Sequence, residues 1–150
     1  MIGYLLDTDV LSAFAPGKTD KPPPAAAVAE WLRRNHQLLF VSAVTVLEVE
    51  AGVLKLGRTQ PGKRHDLLAA WFSSILFHYQ DRVLPLDLSG ARTAADLADR
   101  ARAKGANPEF PDVIIAATAI SRQLTLLTRN LRHFRLFGIE AVDPFRNLPG

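Results

Sequence analysis

The sequence contains no cysteine among its 150 residues. This absence excludes disulfide bonds, thiolate metal sites and a cysteine nucleophile. The chain also lacks an apolar run long enough to cross a membrane, and no charged leader or cleavage signal precedes the first apolar run. We therefore expect a soluble, cytoplasmic protein with no membrane partner.

A strong charge of either sign is absent as well. The chain has 18 Lys plus Arg against 15 Asp plus Glu, for a formal net charge of +3. This balance permits a polyanionic partner without requiring one. Hydrophobic residues make up 48% of the chain, which suffices for a real core, and no break in composition suggests a second unit. We predict a single domain over residues 1–150.

Short apolar runs alternate with segments of helical periodicity along the chain. This alternation is typical of βαβ units and predicts an α/β fold with a mainly parallel sheet of four to five strands. The predicted strands are 2–6, 39–41, 83–86 and 125–127, with a fifth at the edge over 138–142. The predicted helices are 8–14, 25–34, 43–56, 62–79, 89–104 and 112–122. Residues 16–24 contain three consecutive prolines, which exclude regular structure there.

The predicted helix boundaries rest on capping residues. Ser42 is expected to cap the helix that runs to about Leu56, and Gly57 is expected to end it. Ser89 is expected to cap the helix that runs to about Lys104. The helix from residue 112 is apolar nearly all round, so we predict that it is the buried central one.

Four polar residues from distant segments are predicted to meet at one edge of the sheet. Asp7 and Asn130 each follow a strand, and the carboxyl ends of parallel strands open onto a shared crevice. Glu48 lies four residues before Gly52 in the next helix, so the two share a face that allows close approach. Asp112 lies in the first turn of the buried helix, where the helix dipole favours an anion.

Three carboxylates drawn together repel one another unless a cation lies between them. The simplest arrangement that keeps Asp7, Glu48 and Asp112 ionised is a hard divalent cation held by their oxygens. Each residue also has an ordinary interpretation alone: Asp7 as a helix cap, Glu48 as a surface charge and Asp112 as a first-turn acid. Their joint occurrence favours a metal-dependent hydrolase.

Four segments, in this order, resemble the motifs of a known family. They read YLLDTDVLSA, SAVTVLEVEAG, PDVIIAATAI and LLTRNLRHF. The ordered set resembles the PIN domains, and within them the VapC-type ribonuclease toxins of bacterial toxin–antitoxin modules. The resemblance covers nearly the whole chain and implies a PIN-like three-layer α/β/α fold.

The resemblance also implies an activity and partners. It implies an endoribonuclease directed at single-stranded RNA, with Mg²⁺ or Mn²⁺ held by acidic residues, which here are Asp7, Glu48 and Asp112. It further implies a homodimer and a cognate VapB-like antitoxin that blocks the site. The apolar stripe over 62–79, which includes Trp71 and Phe72, is more often core than surface, but it is also a candidate dimer or antitoxin groove.

This chain departs from the family at Asn130, where many members have a fourth acid. An amide oxygen can ligate a hard cation but adds no charge, so we expect one firmly held metal ion. Asp9 is a possible compensation for the missing charge. Thr8, Thr128 and Asn130 are then expected to position water or phosphate, and Arg129 is the best candidate for a phosphate contact.

Two other functions compete with this interpretation. Asp7-Thr8-Asp9-Val10-Leu11 after a strand also resembles the nucleophile motif of haloacid dehalogenase-like phosphatases, in which Asp7 would attack phosphate and Asp9 would act as an acid. That class needs a later lysine and a paired-acid motif, and neither is convincing here. The other alternative is a catalytically weak PIN scaffold, impaired by Asn130, that acts by binding RNA or an antitoxin. The four histidines are interpreted as solvated or packed, although His133 lies close enough to Asn130 in sequence to reach phosphate.

Overall fold

A computed structural model of the protein describes residues 3–17 and 25–150. Most of the proline-rich segment over 16–24, and the first residue of the predicted strand 2–6, lie outside the described residues.

The strands of the described residues form one parallel sheet at the centre of the molecule. They are β1 Tyr4–Leu6, β2 Leu39–Ser42, β3 Val83–Leu84, β4 Thr125–Leu127 and β5 Ala141–Val142. Their order in the sheet is β3-β2-β1-β4-β5, and every pair of neighbours is parallel. The predicted α/β class, the parallel sheet and the edge position of β5 are therefore confirmed.

Helices cover both faces of this sheet. They are α1 Thr8–Ser12, α2 Ala26–Arg34, α3 Ala43–Thr59, α4 Lys63–Tyr79, α5 Leu88–Ala103, α6 Phe110–Ser121 and α7 Leu131–Phe134. Successive residues of a strand point to opposite faces, so Leu5 contributes to the core under α5 and α6, whereas Leu6 contributes to the core under α1, α2 and α4. The three-layer arrangement is thus confirmed, and α6 is the buried helix that its apolar composition predicted.

Two of the residues that were expected to set helix boundaries do not do so. Gly57 does not end α3, which continues to Thr59, because one glycine inside a helix costs only about 1 kcal/mol. A Cβ at Gly57 would lie 2.7 Å from Nε2 of His65 on α4, so the missing side chain makes room where the two helices approach. The cap of α5 is Asp87 rather than Ser89, because the Asp87 carboxylate accepts from the Gly90 backbone N–H at 2.7 Å. The cap at Ser42 is confirmed.

The short helix α7 was not predicted. It is a single turn of four residues, too short to show a helical period, and three residues separate it from β4. Its position matters because it places His133 beside the first turn of α6.

The carboxyl ends of β1 and β4 lie side by side in the middle of the sheet. Leu6 pairs with Leu127, and the Asp7 backbone N–H donates to the Leu127 carbonyl at 2.9 Å. The next residues, Asp7 and Thr128, are consequently neighbours at the edge where the predicted site should lie.

Candidate active site

Asp7 is the most buried acid at this edge, with 5% of its surface exposed. Both of its carboxylate oxygens accept hydrogen bonds. Oδ1 accepts from the Thr8 backbone N–H and Oδ2 from the Thr128 hydroxyl, each at 2.7 Å. Asp7 therefore does cap α1, but its second oxygen is held by Thr128, which lies 121 residues away just beyond β4, and a simple helix cap does not require this contact.

The surroundings of Asp7 disfavour its charged form. Burial is the largest cause that raises the pKa of Asp7 to about 7, and the charges of Asp9 and Asp112 add to the rise. The hydrogen bonds from Thr128 and Thr8 lower the pKa and only partly offset these effects. Burial also raises the pKa of Asp9, although the backbone N–H and the charge of Arg129 oppose this shift. The Asp9 carboxylate accepts from that N–H at 3.1 Å. Asp9 thus belongs to the acid cluster. The sequence had suggested it only as a compensation for the charge missing at Asn130.

Glu48 reaches the site through a threonine. Its Oε1 accepts from the Thr8 hydroxyl at 2.7 Å, and the same hydroxyl lies 3.0 Å from that of Thr45, which is fully buried. Because Thr8 also donates its backbone N–H to Asp7, one residue connects both acids. Thr45 was missed from the sequence, and its only signal was a polar residue in an apolar stretch three positions before Glu48.

The expected close approach at Gly52 is wrong. Among the described residues, no atom lies within 4 Å of a Cβ built on this glycine, apart from its own helix. Gly52 instead leaves open the wall of a groove that begins at Glu48.

Asp112 lies in the first turn of α6, as predicted, and faces the same edge. Its Oδ2 lies 3.5 Å from Nδ1 of His133. Burial raises the pKa of Asp112, His133 opposes the rise, and Glu109 adds to it. Because Asp112 contributes to the raised pKa of Asp7, the two carboxylates are within electrostatic reach of each other.

The segment after β4 supports Asp7 mainly through Thr128. The Asn130 backbone N–H donates to the Thr128 hydroxyl oxygen at 3.0 Å, and that hydroxyl donates to Asp7. Asn130 and Arg129 are both exposed at the same edge. The Arg129 guanidinium lies over the ring of Phe145, 4.7 Å from its centroid.

Carboxylate oxygens are suitable ligands for a hard divalent cation. Burial, and then repulsion by Asp9 and Asp112, raise the pKa of Asp7, and a bound cation would offset both effects by favouring the charged form. Within residues 3–17 and 25–150, however, no three acidic or histidine side chains form a ready-made metal cluster. The carboxylates are turned to separate partners, Glu48 to Thr8 and Asp112 to His133. The donor set therefore fits the cation chemically, and rotation of these side chains would be needed to close the ligand shell.

A groove of about 420 Å³ adjoins the acids on the side of α3 and α4. Its lining includes Thr8 and Glu48 of the site, the apolar residues Val53, Leu68 and Trp71, and the basic residues Lys55 and Arg64. Of the apolar stripe predicted on α4, Phe72 is buried in the core, whereas Trp71 is only partly buried and lines this groove.

Comparison with known proteins agrees with this geometry. The PIN domain family model matches residues 4–138, and the chain belongs to the PIN domain family. The chain is 30% identical to the plasmid stability protein StbB of Pseudomonas syringae pv. tomato, over 94% of this chain and 97% of that protein. It is 32% identical to the VapC ribonuclease Y4jK of Sinorhizobium fredii, over 94% and 96% respectively.

Solved structures show the same fold. The structure of FitAcB from Neisseria gonorrhoeae superposes with a TM-score of 0.79 at 31% identity, over 95% of this chain and 98% of that one. DNA-bound VapBC from Salmonella typhimurium has a TM-score of 0.72 at 23% identity, over 95% and 98%, and supports the fold alone.

The resemblance to the PIN domains and their VapC-type members is therefore confirmed. The family match assigns the motif at Asp7 to a PIN domain rather than to a haloacid dehalogenase-like phosphatase. In the described part of the chain, no helix has the length and apolar character that a membrane span requires.

Proposed function

We propose that this protein is a Mg²⁺- or Mn²⁺-dependent endoribonuclease of the VapC type, which hydrolyses phosphodiester bonds in RNA. The observation that carries the proposal is the convergence of Asp7, Asp9, Glu48 and Asp112, from three separate segments, on the carboxyl edge of the sheet. The names of two relatives support it, since they are called VapC ribonuclease Y4jK and Ribonuclease VapC10.

The surroundings of each acidic residue indicate its role in metal binding or proton transfer. Asp7 and Asp112 would hold the metal ion directly. Asp7 is buried and Asp112 is half-buried, and burial raises the pKa of each carboxyl group, so a cation would favour their charged forms. Glu48 would act as a further ligand or as the base that removes a proton from the attacking water, since its oxygen reaches Thr8 beside Asp7. When bound, the cation supplies stabilisation of the negative charge that grows on the phosphate oxygens.

The threonines keep this arrangement in place. Thr128 orients Asp7 through its hydroxyl, and Thr8 connects Asp7 with Glu48. Asn130 has an exposed position from which its amide can contact water or phosphate. Arg129 contributes a positive charge next to Asp9.

The test is RNA cleavage by purified protein freed of any antitoxin. Wild type should cleave structured RNAs with Mg²⁺ or Mn²⁺, lose this activity in EDTA, and regain it when excess metal is returned. Asp7→Asn should be inactive, whereas Asp99→Asn, which alters an exposed acid on α5, should behave as wild type. If wild type and Asp7→Asn cleave equally at every metal concentration, the proposal fails.

A catalytically weak scaffold is the second candidate, and Asn130 is the observation that favours it. Asn130 contributes no negative charge where many PIN domains have an acid, so metal binding would be weaker. Asn130→Asp distinguishes the two cases. A weak scaffold should cleave RNA at low Mg²⁺ only after this substitution, whereas a competent enzyme should cleave RNA at low Mg²⁺ without it.

We further propose that a VapB-like antitoxin occupies the groove between α3 and α4. The resemblance to VapC-type toxins supports such a partner, as does a relative named Toxin FitB, from Neisseria gonorrhoeae, which is 31% identical over 95% of this chain. The groove is lined mainly by apolar side chains and by Thr8 and Glu48, so a peptide seated in it would cover Glu48 and the approach to the neighbouring acids. Trp71→Glu should then abolish inhibition by the antitoxin and leave RNA cleavage unchanged. Inhibition that survives this change would place the antitoxin elsewhere.

A homodimer is also proposed, with the outer face of α3 as its contact. Leu47 and Leu54 are 65% and 60% exposed and lie seven residues apart, on one face of the helix. Two such faces can pack together and remove this apolar surface from water.

A further inference from the structure

We propose that Arg129 is a stacking platform for one base of the RNA substrate, through the exposed face of its guanidinium, and not chiefly a phosphate contact. This inference rests on the proposed ribonuclease activity and names the residue that would position a nucleotide beside the acids. It arises from three side chains that follow β1, β4 and β5, which we call the Arg129 platform: Phe14, Arg129 and Phe145.

The platform is layered. The rings of Phe14 and Phe145 are stacked, with centroids 6.3 Å apart and an interplanar angle of 29°. The Arg129 guanidinium lies over the Phe145 ring, 4.7 Å from its centroid. Both phenylalanines are partly buried, whereas Arg129 is exposed. A planar cation backed by aromatic rings therefore presents its other face to solvent.

Phe145 is itself held in place. Its backbone N–H donates to Oδ1 of Asp143 at 3.0 Å, and Asp143 is a buried residue that directly follows β5. A fixed ring under Arg129 restricts the orientation of the guanidinium. Little conformational entropy would then be lost when a base stacks on it.

The platform is adjacent to the acid cluster. The Arg129 backbone N–H lies 3.1 Å from the Asp9 carboxylate, and Asp9 is two residues from Asp7. A nucleotide whose phosphate contacts the acids would therefore have a neighbouring base within reach of the guanidinium face.

A carboxylate lies beside Arg129, which favours stacking over phosphate binding. Asp9 accepts from the Arg129 backbone N–H at 3.1 Å, and its negative charge would repel a phosphate that approached this arginine. The guanidinium plane itself packs on Phe145, 4.7 Å from the ring centroid. Arginine planes and aromatic rings both serve as stacking surfaces for unpaired bases, with little sequence preference.

Lysine distinguishes the two roles, because Arg129→Lys keeps the positive charge but removes the plane. The binding measurements use the full-length Asp7→Asn protein, so that RNA is not cleaved, and fluorescence anisotropy with a labelled single-stranded RNA of about ten nucleotides. A matched set of oligonucleotides carries one abasic nucleotide at each position in turn. Phe145→Leu serves as a second variant, since it keeps an apolar side chain beneath Arg129 but removes the ring.

Arg129→Lys should weaken binding of intact RNA roughly 5- to 150-fold, the range for loss of one stacked base. One abasic position should weaken binding by the Asp7→Asn protein to a similar extent, and Arg129→Lys should add little further loss on that oligonucleotide. This non-additive effect of the substitution and the abasic nucleotide is called coupling. Phe145→Leu should show the same coupling, with a smaller loss of affinity for intact RNA.

Equal losses on intact RNA and on every abasic RNA would overturn the stacking role and indicate a phosphate contact. Unchanged binding in Arg129→Lys, or no measurable binding of RNA, would also overturn it. Cleavage of the intact RNA by the wild type with Mg²⁺ is measured separately. Cleavage without coupling rejects the platform alone, whereas coupling without cleavage rejects the proposed enzyme alone.

Discussion

Replacement of Asp7 by asparagine should stabilise the protein at alkaline pH while it abolishes catalysis. In the folded protein, burial and the neighbouring acids raise the pKa of Asp7 from 3.8 to about 7. The folded state therefore binds more protons than the unfolded chain between these values, and the free energy of unfolding must fall as the pH rises through this range. Asparagine has the shape of aspartate without its charge, so the variant should not suffer this loss.

The size of the effect follows from the shift. Each pKa unit corresponds to about 1.4 kcal/mol, so ionised Asp7 costs the folded state on the order of 4 kcal/mol at pH 8. Between pH 5 and pH 8, the stability of Asp7→Asn relative to wild type should increase by roughly 2 to 3 kcal/mol. For a domain of this size, that corresponds to a gain of about 5 to 10 °C in melting temperature.

The assay is thermal and urea denaturation in EDTA at both pH values. Asp99→Asn is the matched control, since its carboxyl group lies on the exposed face of α5, and it should show no such pH-dependent gain. A stability difference between Asp7→Asn and wild type that is the same at pH 5 and pH 8 would refute the reasoning. It would mean that the surroundings of Asp7 do not disfavour its charge.

Other predictions follow from single contacts. Thr128→Val removes the donor to Asp7 and should lower the free energy of unfolding by about 1 to 3 kcal/mol in urea denaturation. Cleavage by this variant should need a higher Mg²⁺ concentration. Unchanged stability would show that the 2.7 Å hydrogen bond is dispensable. Arg82 donates to three backbone carbonyls at the opposite end of the sheet, so Arg82→Met should lower stability by about 2 kcal/mol without loss of cleavage by the folded fraction; a specific loss of cleavage would contradict this. Leu54→Asp should convert a dimer to a monomer in light scattering, and a dimer that persists would exclude the α3 face.

The fold was largely predictable because the strands are buried on both faces and the helices are amphipathic or apolar. The predicted limits of β4 were those observed, and α6 was recognisable from its composition. Errors fell at helix ends, where local capping decides the boundary, and at α7, which is too short to show a helical period. Asp87 and Ser89 are both good capping residues, and only the geometry shows that Asp87 makes the hydrogen bond.

The site was predictable only in part. Parallel strands open at one edge, so the approximate convergence of Asp7, Glu48 and Asp112 followed from topology. Which side chains touch did not follow, because those contacts depend on rotamers and on helix packing. Thr45 was therefore missed, and His133 was considered only for a phosphate contact, whereas its ring lies 3.5 Å from the Asp112 carboxylate. The assignment of metal ligands to these acids stays a prediction.

The predicted role of Gly52 shows the limit of arguments from helical spacing. Gly52 and Glu48 do lie on one face of α3, but their spacing does not reveal whether another helix or strand packs on that face. The structure leaves that face open to the groove. Only three-dimensional packing separates a close helix contact from an accessible surface.

The most direct measurement of the central claim is Mn²⁺ binding by isothermal titration calorimetry at pH 7.5, with wild type, Asp7→Asn and Asp112→Asn. We expect one firmly bound ion per chain in the wild type and a loss of at least tenfold in affinity in each variant. Because a bound cation should favour the charged form of Asp7, binding should also release protons, and the measured heat should then depend on the buffer. Equal Mn²⁺ affinity in all three proteins, or no binding by the wild type, would contradict the account.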